Sequence, residues 1–451
     1  MRDREKAFEI LNTALSVSKS DLTEAILEYD RLSLARFSEQ RIQDHIDREE
    51  KTLTVRCIKN KKIGVVATGD TSIEGISEAV KNCEAMQAYL PADENFVTLP
   101  GSNDKELKED NIIEGTRQFG PMERADAIRP IFTSAKKKIL EASGAFRQEQ
   151  KMLAVANSLG VKRFYTGNHA QLSMTMAAAQ KHSGWSLSYN PDAVQIDSMD
   201  QVRKTADKAM ESRSPKELPD GQYTVILEPA AVGQLLILLS FMGFGCKTLY
   251  QRRSFMSGQI GERIAGNSFT VYDDASDDSF ASPQFDYEGV PKKKVSLIEN
   301  GVARGVVYNS YYANLMNSES TGHALAPTNN YGPYPKNLVV APGNSNLDSM
   351  ISSTKKGVLI THFWYLNFLN PMKTMVTGTT RDGTFYIEDG KVKHPVKNMR
   401  TNQSILEAFS NVALISKERI VYPQYSVLMK VPAMKINNFN LTAEQEDDDK
   451  C

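Results

Sequence analysis

A turn dipeptide near the C-terminus sets the strongest local constraint on the fold. Asp389-Gly390 separates two short runs, Thr384–Glu388 and Lys391–Val396, that have the composition of β-strands. A tight type I′ turn needs positive φ at both central residues, which Asp and Gly tolerate. The stretch therefore predicts a β-hairpin, preceded by a Gly/Thr-rich loop at Thr377–Asp382. A similar turn at Asn300-Gly301 predicts a second hairpin, so the C-terminal half is expected to be β-rich.

The N-terminal half combines strand and helix patterns. Leu53, Val55 and Cys57 alternate with polar residues, and this period of two predicts part of a three- or four-stranded antiparallel meander between residues 25 and 68. A helix is predicted over residues 71–89, with Thr71 and Glu74 as a capping box. Further predicted elements are a helix over 122–142 that is broken or kinked at Pro130, strands at 151–156 and 172–178, and a helix over 197–210.

Length and composition favour a globular α+β protein of two domains. The chain has 451 residues, of which 41% are hydrophobic and 24% are charged, as in ordinary soluble proteins. We predict an α+β domain at residues 1–212, a β-rich domain at 222–440 and a solvated acidic tail at 441–451. The apolar run Ala230–Gly245 is shorter than the ~20 residues of a membrane span, so we expect a buried core helix and no membrane insertion.

Charge and cysteine content narrow the class of function. The net charge of −1 argues against direct nucleic-acid binding, which usually needs a basic surface. The four cysteines are far apart and form no C-x-x-C motif, which favours reduced thiols. The N-terminus has no apolar stretch typical of a secretion signal. A cytoplasmic protein is therefore expected.

Common catalytic motifs are not found in the sequence. None of the six histidines forms an H-E-x-x-H pair, and the acidic run Asp273–Asp278 lacks the Gly and Glu of a calcium loop. Cys246 interrupts what would be the end of a P-loop. Ser320 and His323 are close in sequence, but no G-x-S-x-G elbow is present. From the residues alone we predict no catalytic residue and no metal ligand.

Several ordered stretches nevertheless make the chain similar to the TldD/PmbA (TldE) family, often called modulators of DNA gyrase. The resemblance extends over almost the whole chain. It is carried by Ala35–Ser38, Leu53–Arg56, Ile63–Val65, Phe285–Val290, Glu299–Val302, Ser320–Ala324, Thr379–Phe385, Glu388–Gly390 and Ser426–Leu428.

The resemblance implies a metallopeptidase built from two chains, which cleaves small or unfolded peptides inside the cell. In the family, the TldD-type chain carries a helical H-E-x-x-x-H motif and a distant Cys as zinc ligands. The corresponding helix here is Val232–Gly245, which contains no His and no Glu, and the distant Cys falls near Gln424. The chain thus resembles the PmbA/TldE type, which binds no cofactor itself and relies on a TldD-type partner for zinc.

The resemblance also suggests where a peptide would bind. The expected lining of the peptide cavity is Thr379, Thr380, Arg381, Asp382, Gly383 and Thr384, together with His323 and His362. Arg381 could bind a peptide carboxylate or form a salt bridge with Asp382, and each histidine could instead be a hydrogen-bonded core residue. Two other functions stay open: a metal-free homodimer that binds peptides or acts as a chaperone, and a gyrase-associated regulator.

Overall fold

The computed structural model describes residues 3–102, 105–178 and 182–443, and its first half is built on one sheet. The strands of this sheet pair in the order β3-β2-β1-β5-β6-β4, with β7 also on β6. All pairs are antiparallel except β4 beside β6. The predicted meander is confirmed as β1 to β3. The strands are β1 Leu22–Ser38, β2 Arg41–Lys59, β3 Lys62–Thr68, β4 Asp110–Asn111, β5 Glu141–Asn157, β6 Lys162–Ala178 and β7 His182–Asn190.

In the part of the chain that the structure describes, five helices accompany this sheet, with a 3₁₀ turn at Ala193–Gln195. They are α1 Arg4–Val17, α2 Ile73–Tyr89, α3 Glu114–Gln118, α4 Pro121–Lys138 and α5 Ser198–Glu211. The predicted capping box of α2 is wrong by one residue. Ser72 is the N-cap, and its side chain accepts a hydrogen bond from the Gly75 N–H at 3.1 Å, as expected for a serine at this position. Pro130 lies inside α4 without ending it.

The strands of the first sheet are longer than the sequence predicts. Strands β5 and β6 have 17 residues each, whereas only residues 151–156 and 172–178 were expected. The alternation of apolar and polar residues that marks a strand is lost where polar side chains occupy both faces of the sheet. Strand β5 nevertheless pairs with β1 and β6 over nearly its full length. Strand β7 was not predicted at all.

The second half is a mixed sheet of eleven strands. The pairings close a ring of five strands, because β18 pairs with both β16 and β8, and β14 and β13 connect the other two. The fold class predicted from sequence, α+β with a β-rich second half, is confirmed. The strands are β8 Gly221–Leu227, β9 Val271–Asp273, β10 Val295–Glu299, β11 Val302–Ala303, β12 Asn337–Val340, β13 Lys356–Asn370, β14 Met375–Glu388, β15 Lys391–Pro395, β16 Met399–Ser404, β17 Val412–Gln424 and β18 Val427–Ala443.

One apolar helix forms the centre of the second core. Helix α6, Pro229–Gly243, begins with proline, which suits the first helical position, and 12 of its 15 residues are buried. It packs against β13, β17 and β18, so the predicted buried helix is confirmed. No helix among the described residues is long and apolar enough to cross a membrane. The other helices are α7 Cys246–Tyr250, α8 Ser310–Leu315, α9 Leu347–Ser352, α10 Ile405–Ser410 and a 3₁₀ turn at Pro371–Lys373.

Both predicted hairpin turns are present. Asp389 and Gly390 have φ of 48° and 73°, and Asn300 and Gly301 have φ of 49° and 78°, which is the positive-φ geometry of type I′ turns. The predicted acidic tail is only partly described. Strand β18 continues to Ala443, so residues 441–443 belong to the sheet, and residues 444–451 lie outside the described residues. The division of the chain into domains stays a prediction.

The predicted loop at Thr377–Asp382 is wrong, because these residues lie inside β14. Val376, Gly378, Thr380 and Asp382 are buried alternately, as on one face of a strand.

A β-bulge follows this run. Asp382 and Gly383 together oppose Thr361 on β13, and both have positive φ, 54° and 129°. The extra residue moves the buried positions from even to odd numbers, so that Phe385 and Ile387 face the core.

Candidate functional site

The bulge in β14 places a buried polar cluster between the two halves of the chain. Asp382 accepts a hydrogen bond from His362 Nε2 at 2.7 Å and another from Ser183 Oγ. His362 lies on β13 and Ser183 on β7, and Trp185 of β7 packs on the His362 ring with centroids 4.6 Å apart. The cluster therefore joins the first sheet to the second.

Hydrogen bonds set the pKa of Asp382. His362 Nδ1 lies 3.0 Å from the carbonyl oxygen of Phe363, so both ring nitrogens of His362 face hydrogen-bond acceptors. Burial acts to raise the pKa of Asp382, but the hydrogen bond and charge of His362, with the Ser183 hydroxyl, outweigh it and lower that pKa. The result is a buried, hydrogen-bonded histidine–carboxylate pair.

This arrangement does not activate a nucleophile. Ser183 and His362 both donate to Asp382, whereas a serine nucleophile must donate to an unprotonated base. The cluster instead fixes the position of β7 against β13 and β14. Neither Ser183 nor Trp185 was predicted, because Ser183 lies 199 residues from Asp382 in sequence and no local motif marks it.

The other predicted residues of β14 divide between surface and core. Arg381 is 44% exposed, its guanidinium lies 4.3 Å from the Trp364 ring centroid, and its Nε lies 4.0 Å from Asp382. Thr380 and Thr384 are buried, and their hydroxyl oxygens lie 2.8 Å apart. Of these three, Arg381 alone extends to where a ligand could reach it.

Two further predicted residues, Thr379 and Gly383, complete the stretch. Thr379 is half-buried and pairs with Arg400, while Gly383 is buried in the bulge. Their predicted contact with a peptide stays untested.

His323 is placed in the core of the second half. It is 1% exposed, with Nε2 2.9 Å from Asp273 and Nδ1 2.9 Å from Thr321. Asp273 also accepts a hydrogen bond from the Asn337 N–H at 2.7 Å. This geometry is that of a hydrogen-bonded core histidine, the alternative considered from sequence. A role in peptide binding stays a prediction that this arrangement does not support.

The face of α6 next to β17 is the place to test for a metal site. Gly233 lies against the Tyr422 ring, and a Cβ at this glycine would lie 2.6 Å from it. Gln234 is held by the Phe363 backbone, donating to its carbonyl oxygen at 3.0 Å and accepting from its N–H at 2.7 Å. Gln424 ends β17, and its buried side-chain oxygen has no hydrogen-bond partner among residues 3–102, 105–178 and 182–443.

These side chains do not fit a zinc ion. Zinc in proteins is held by imidazole, thiolate and carboxylate groups, whereas the polar groups on this face are amides and hydroxyls. Among residues 3–102, 105–178 and 182–443, no group of three or more His, Cys, Asp or Glu side chains is arranged to hold a metal.

An aromatic cluster occupies the C-terminal end of α6 instead. Phe241 stacks on Tyr334 with ring centroids 5.1 Å apart, and it lies 5.8 Å from Tyr425 and 6.3 Å from Tyr331. Tyr425 and Tyr331 are 67% and 70% exposed. Exposed aromatic side chains grouped around a rigid helix end are typical of binding surfaces.

A cavity of about 380 Å³ lies between the two halves, within the range of ligand pockets. Arg56, Asp93, Lys247 and Glu288 line it with charges of both signs. Arg56 lies 2.9 Å from the buried Glu24 carboxylate and 3.8 Å from Glu288. Burial raises the pKa of Glu24 to about 7, although Arg56 acts against this. A polar cavity of mixed charge suits a peptide better than an apolar ligand.

Comparison with protein families gives two matches along the chain. The model of the "PmbA/TldA metallopeptidase C-terminal domain" matches residues 220–443, and that of "PmbA/TldA metallopeptidase domain 1" matches residues 23–87. Together these matches cover more than half of the chain.

Curated relatives agree with the family models. A TldD metalloprotease homologue of Buchnera aphidicola subsp. Acyrthosiphon pisum is 23% identical over 389 residues, covering 81% of this chain and 78% of that protein. A PmbA metalloprotease homologue of Buchnera aphidicola subsp. Baizongia pistaciae is 22% identical, covering 80% of each. A metalloprotease of Methanothermobacter thermautotrophicus is 26% identical, but the match spans only 46% of its length, about half.

Solved structures show the same fold. The crystal structure of TldE from Thermococcus kodakarensis superposes with a TM-score of 0.88 at 22% identity, covering 98% of this chain and all of that one. A Thermotoga maritima protein that carries the name of a DNA gyrase modulator gives a TM-score of 0.85 at 16% identity, covering 97% of this chain and all of that one.

Proposed function

We propose the following function for this chain, which belongs to the PmbA/TldD metallopeptidase family. It is the metal-free, PmbA/TldE-type subunit of a two-chain peptidase that cleaves small or unfolded peptides. The zinc and the catalytic groups belong to a TldD-type partner. The pair acts in the cytoplasm, where the buried and unpaired thiols of Cys57, Cys83 and Cys246 stay reduced.

The composition of the α6 face carries this proposal. In the family resemblance, the zinc motif of α6 would begin at Leu236–Leu239 and the distant Cys would fall near Gln424, at the end of β17. None of these groups can hold zinc in the way that imidazole or thiolate does. The aromatic cluster of Phe241, Tyr331, Tyr334 and Tyr425 covers the end of the helix, and it offers a surface for apolar side chains of a peptide.

The sheet supports binding of an extended peptide. In the described part of the chain, the other edge of β17 bonds to Gly343 and Ser345 only around Ser416, so its later residues, Arg419 to Gln424, can offer backbone groups to a ligand. Main-chain hydrogen bonds of this kind bind peptides with little dependence on sequence. Arg381 and the polar cavity between the halves are further contact points for such a substrate.

An exposed apolar surface supports pairing with another chain. It consists of side chains from the end of β13 and the turn after it: Trp364, Tyr365, Phe368, Leu369 and Met372, which are 43% to 74% exposed. A patch of this kind is uncommon on a monomer and usual in a subunit interface. We assign this surface to the interface with the TldD-type partner. A TldD homologue aligns with 81% of this chain, so the partner is expected to have a similar fold.

Two other functions remain as alternatives to this proposal. The exposed apolar surface could instead join two copies of this chain into a peptide-binding homodimer. A Thermotoga maritima protein of the same fold carries the name of a DNA gyrase modulator, which raises the alternative of a regulator of that enzyme, but the net charge of −1 disfavours direct DNA contact.

Reconstitution tests the proposal directly. The chain and a TldD-type partner from the same genome are purified apart, then mixed and assayed for cleavage of an unfolded polypeptide. We expect a stable complex by size exclusion, and cleavage by the mixture that far exceeds that of either chain alone. The proposal would be contradicted if this chain formed a homodimer and did not bind the partner, or if the partner alone gave full cleavage.

A further inference from the structure

A small polar cavity lies in the first half of the chain, far from α6 in sequence. Its volume is about 120 Å³, equal to roughly four water molecules of ~30 Å³ each. It lies where α3 and the start of α4 meet β1, β2, β5 and β6. The side chains that matter most are Arg31, Asp47, Arg117, Arg124, Gln148 and Gln150.

Arg124 is a buried cation without an ionic partner. It is 3% exposed, and among the described residues it forms no ion pair with a carboxylate. Its Nη1 donates to the Phe119 carbonyl oxygen at 3.1 Å and to the Gln148 side-chain oxygen, and its Nη2 lies 2.9 Å from His45 Nε2. The guanidinium can only donate, so His45 Nε2 is the acceptor of this hydrogen bond. Every acceptor of Arg124 is therefore uncharged.

The surroundings penalise this charge. Burial lowers the pKa of Arg124, and Asp47 opposes the shift only at longer range. An unpaired buried charge is costly, which is why buried arginines are normally paired with an anion.

The other charges around the cavity are already paired. Asp47 binds Arg31 through both carboxylate oxygens, at 3.0 and 2.7 Å. Arg117 lies 2.6 Å from Glu114. The remaining carboxylate, Glu149, contacts Arg147 and Lys151. Among the described residues, none of these carboxylates contacts Arg124, so its charge has no ionic partner there.

Two donor groups at this cavity have no acceptor. They are Arg124 Nε and Gln150 Nε2, both of which are buried and have no hydrogen-bond partner in the part of the chain that the structure describes. Gln150 itself is 7% exposed. Buried donors are nearly always paired, so two unpaired donors beside one uncompensated cation indicate an acceptor that carries negative charge.

We propose that this cavity binds a small oxyanion, a carboxylate or a phosphate group, with Arg124 and Gln150 as its main donors. Such an anion supplies the negative charge that Arg124 lacks among its neighbours. Its oxygens accept charge-assisted hydrogen bonds from the unpaired N–H groups. The cavity volume of about 120 Å³ has room for the carboxylate or phosphate group but not for a larger molecule attached to it. The proposal does not depend on the metal-free subunit role.

Calorimetric titration of the full chain tests it. Inorganic phosphate and acetate are titrated separately, in chloride buffer of matched ionic strength. We expect saturable binding of at least one anion. Arg124→Gln should weaken this binding about tenfold or more, and Gln150→Leu should weaken it less, because a charged donor contributes more than a neutral one. Binding of phosphate alone, or of acetate, identifies which anion the site takes.

Arg129→Gln is the matched control. Arg129 lies on the same helix, is 71% exposed and pairs with Asp126 at 2.7 Å, so its loss should leave anion binding unchanged. If Arg124→Gln does not fold, Arg124→Lys takes its place, since Lys keeps the charge but loses the planar donor pair. The proposal is overturned if neither anion binds the wild type, or if the Arg124 and Arg129 variants bind equally well.

Discussion

Asp382 shows how a single residue can connect the two halves of this chain. Its carboxylate accepts hydrogen bonds from His362 on β13 and from Ser183 on β7. The bulge at Asp382-Gly383 turns the Asp382 side chain toward these two strands. Removing one partner of a buried charge pair leaves the other uncompensated. The stability of the contact between the halves should therefore depend on the charge of this carboxylate.

The first prediction concerns Asp382→Asn. We expect it to lower the free energy of unfolding by about 1–3 kcal/mol at neutral pH, because His362 loses its charged acceptor. Chemical denaturation measures this change. Asp389→Asn is the control, since Asp389 lies in an exposed turn at positive φ that Asn also adopts. Equal stability of the two variants would contradict the assigned pair.

The pH dependence of the same pair gives a second prediction. The pKa of Asp382 is lowered in the folded state, so its contribution is present above the unfolded value of ~3.9 and is lost as pH falls through the lower folded value. The stability gap between wild type and Asp382→Asn should thus narrow below about pH 4. Denaturation midpoints at several pH values measure it, and a gap that widens toward low pH would exclude this sign of the shift.

Arg381 carries a prediction about substrate. In the reconstituted pair, Arg381→Ala should weaken binding of a peptide with a free C-terminus by about tenfold, and binding of its amide much less, because a bidentate carboxylate contact is lost. Competition binding measures both. Arg400→Ala is the control, since Arg400 lies on neighbouring β16 and is also exposed. Unchanged affinity in Arg381→Ala would leave Arg381 with only its contacts to Trp364 and Asp382.

At the scale of elements, the bulge in β14 sets the geometry of the polar cluster. Gly383 has φ of 129°, and a Cβ there would lie 2.6 Å from the Thr361 hydroxyl oxygen. Only glycine adopts such a backbone without strain. The bulge then determines which side chains of β14 face the core.

Gly383→Ala tests this role of the bulge. We expect it to destabilise the protein by at least about 1–3 kcal/mol, the cost of an unfavourable backbone conformation, with a further cost from the clash at Thr361. Gly258→Ala is the control, because Gly258 has φ of 75° but no atom within 4 Å of its would-be Cβ. Thermal unfolding compares the two, and a smaller loss in Gly383→Ala than in Gly258→Ala would contradict the account.

The elements also show what a sequence can predict. Asp389-Gly390, Asn300-Gly301 and the apolar α6 were found because their signals are local. Thr377–Asp382 was predicted as a loop, since Gly and Thr together resemble one, but pairing with β13 and β16 makes it a strand. The cluster of Ser183 with Asp382, and the contact of Arg124 with His45, depend on residues 199 and 79 positions apart. No local pattern encodes such pairs.

At the scale of the whole molecule, the exposed apolar surface at the end of β13 should be a subunit interface. Tyr365→Asp should weaken association with the TldD-type partner about tenfold or more, because a charge would be buried in the interface. Aspartate tolerates the positive φ of 48° at this position. Tyr89→Asp is the control, with the same substitution at a site that is 91% exposed and lies elsewhere on the surface. If Tyr365→Asp and Tyr89→Asp weakened association with the partner equally, this surface would not be the interface.

The metal content of the chain purified alone tests the central claim most directly. The chain is prepared without a chelator or a histidine tag, given excess zinc, passed through a desalting column and measured by elemental analysis. Because α6 and the end of β17 offer amides and hydroxyls rather than zinc ligands, we predict that far less than one zinc ion per chain is retained. Retention of stoichiometric zinc would contradict the assignment of this chain as the metal-free subunit.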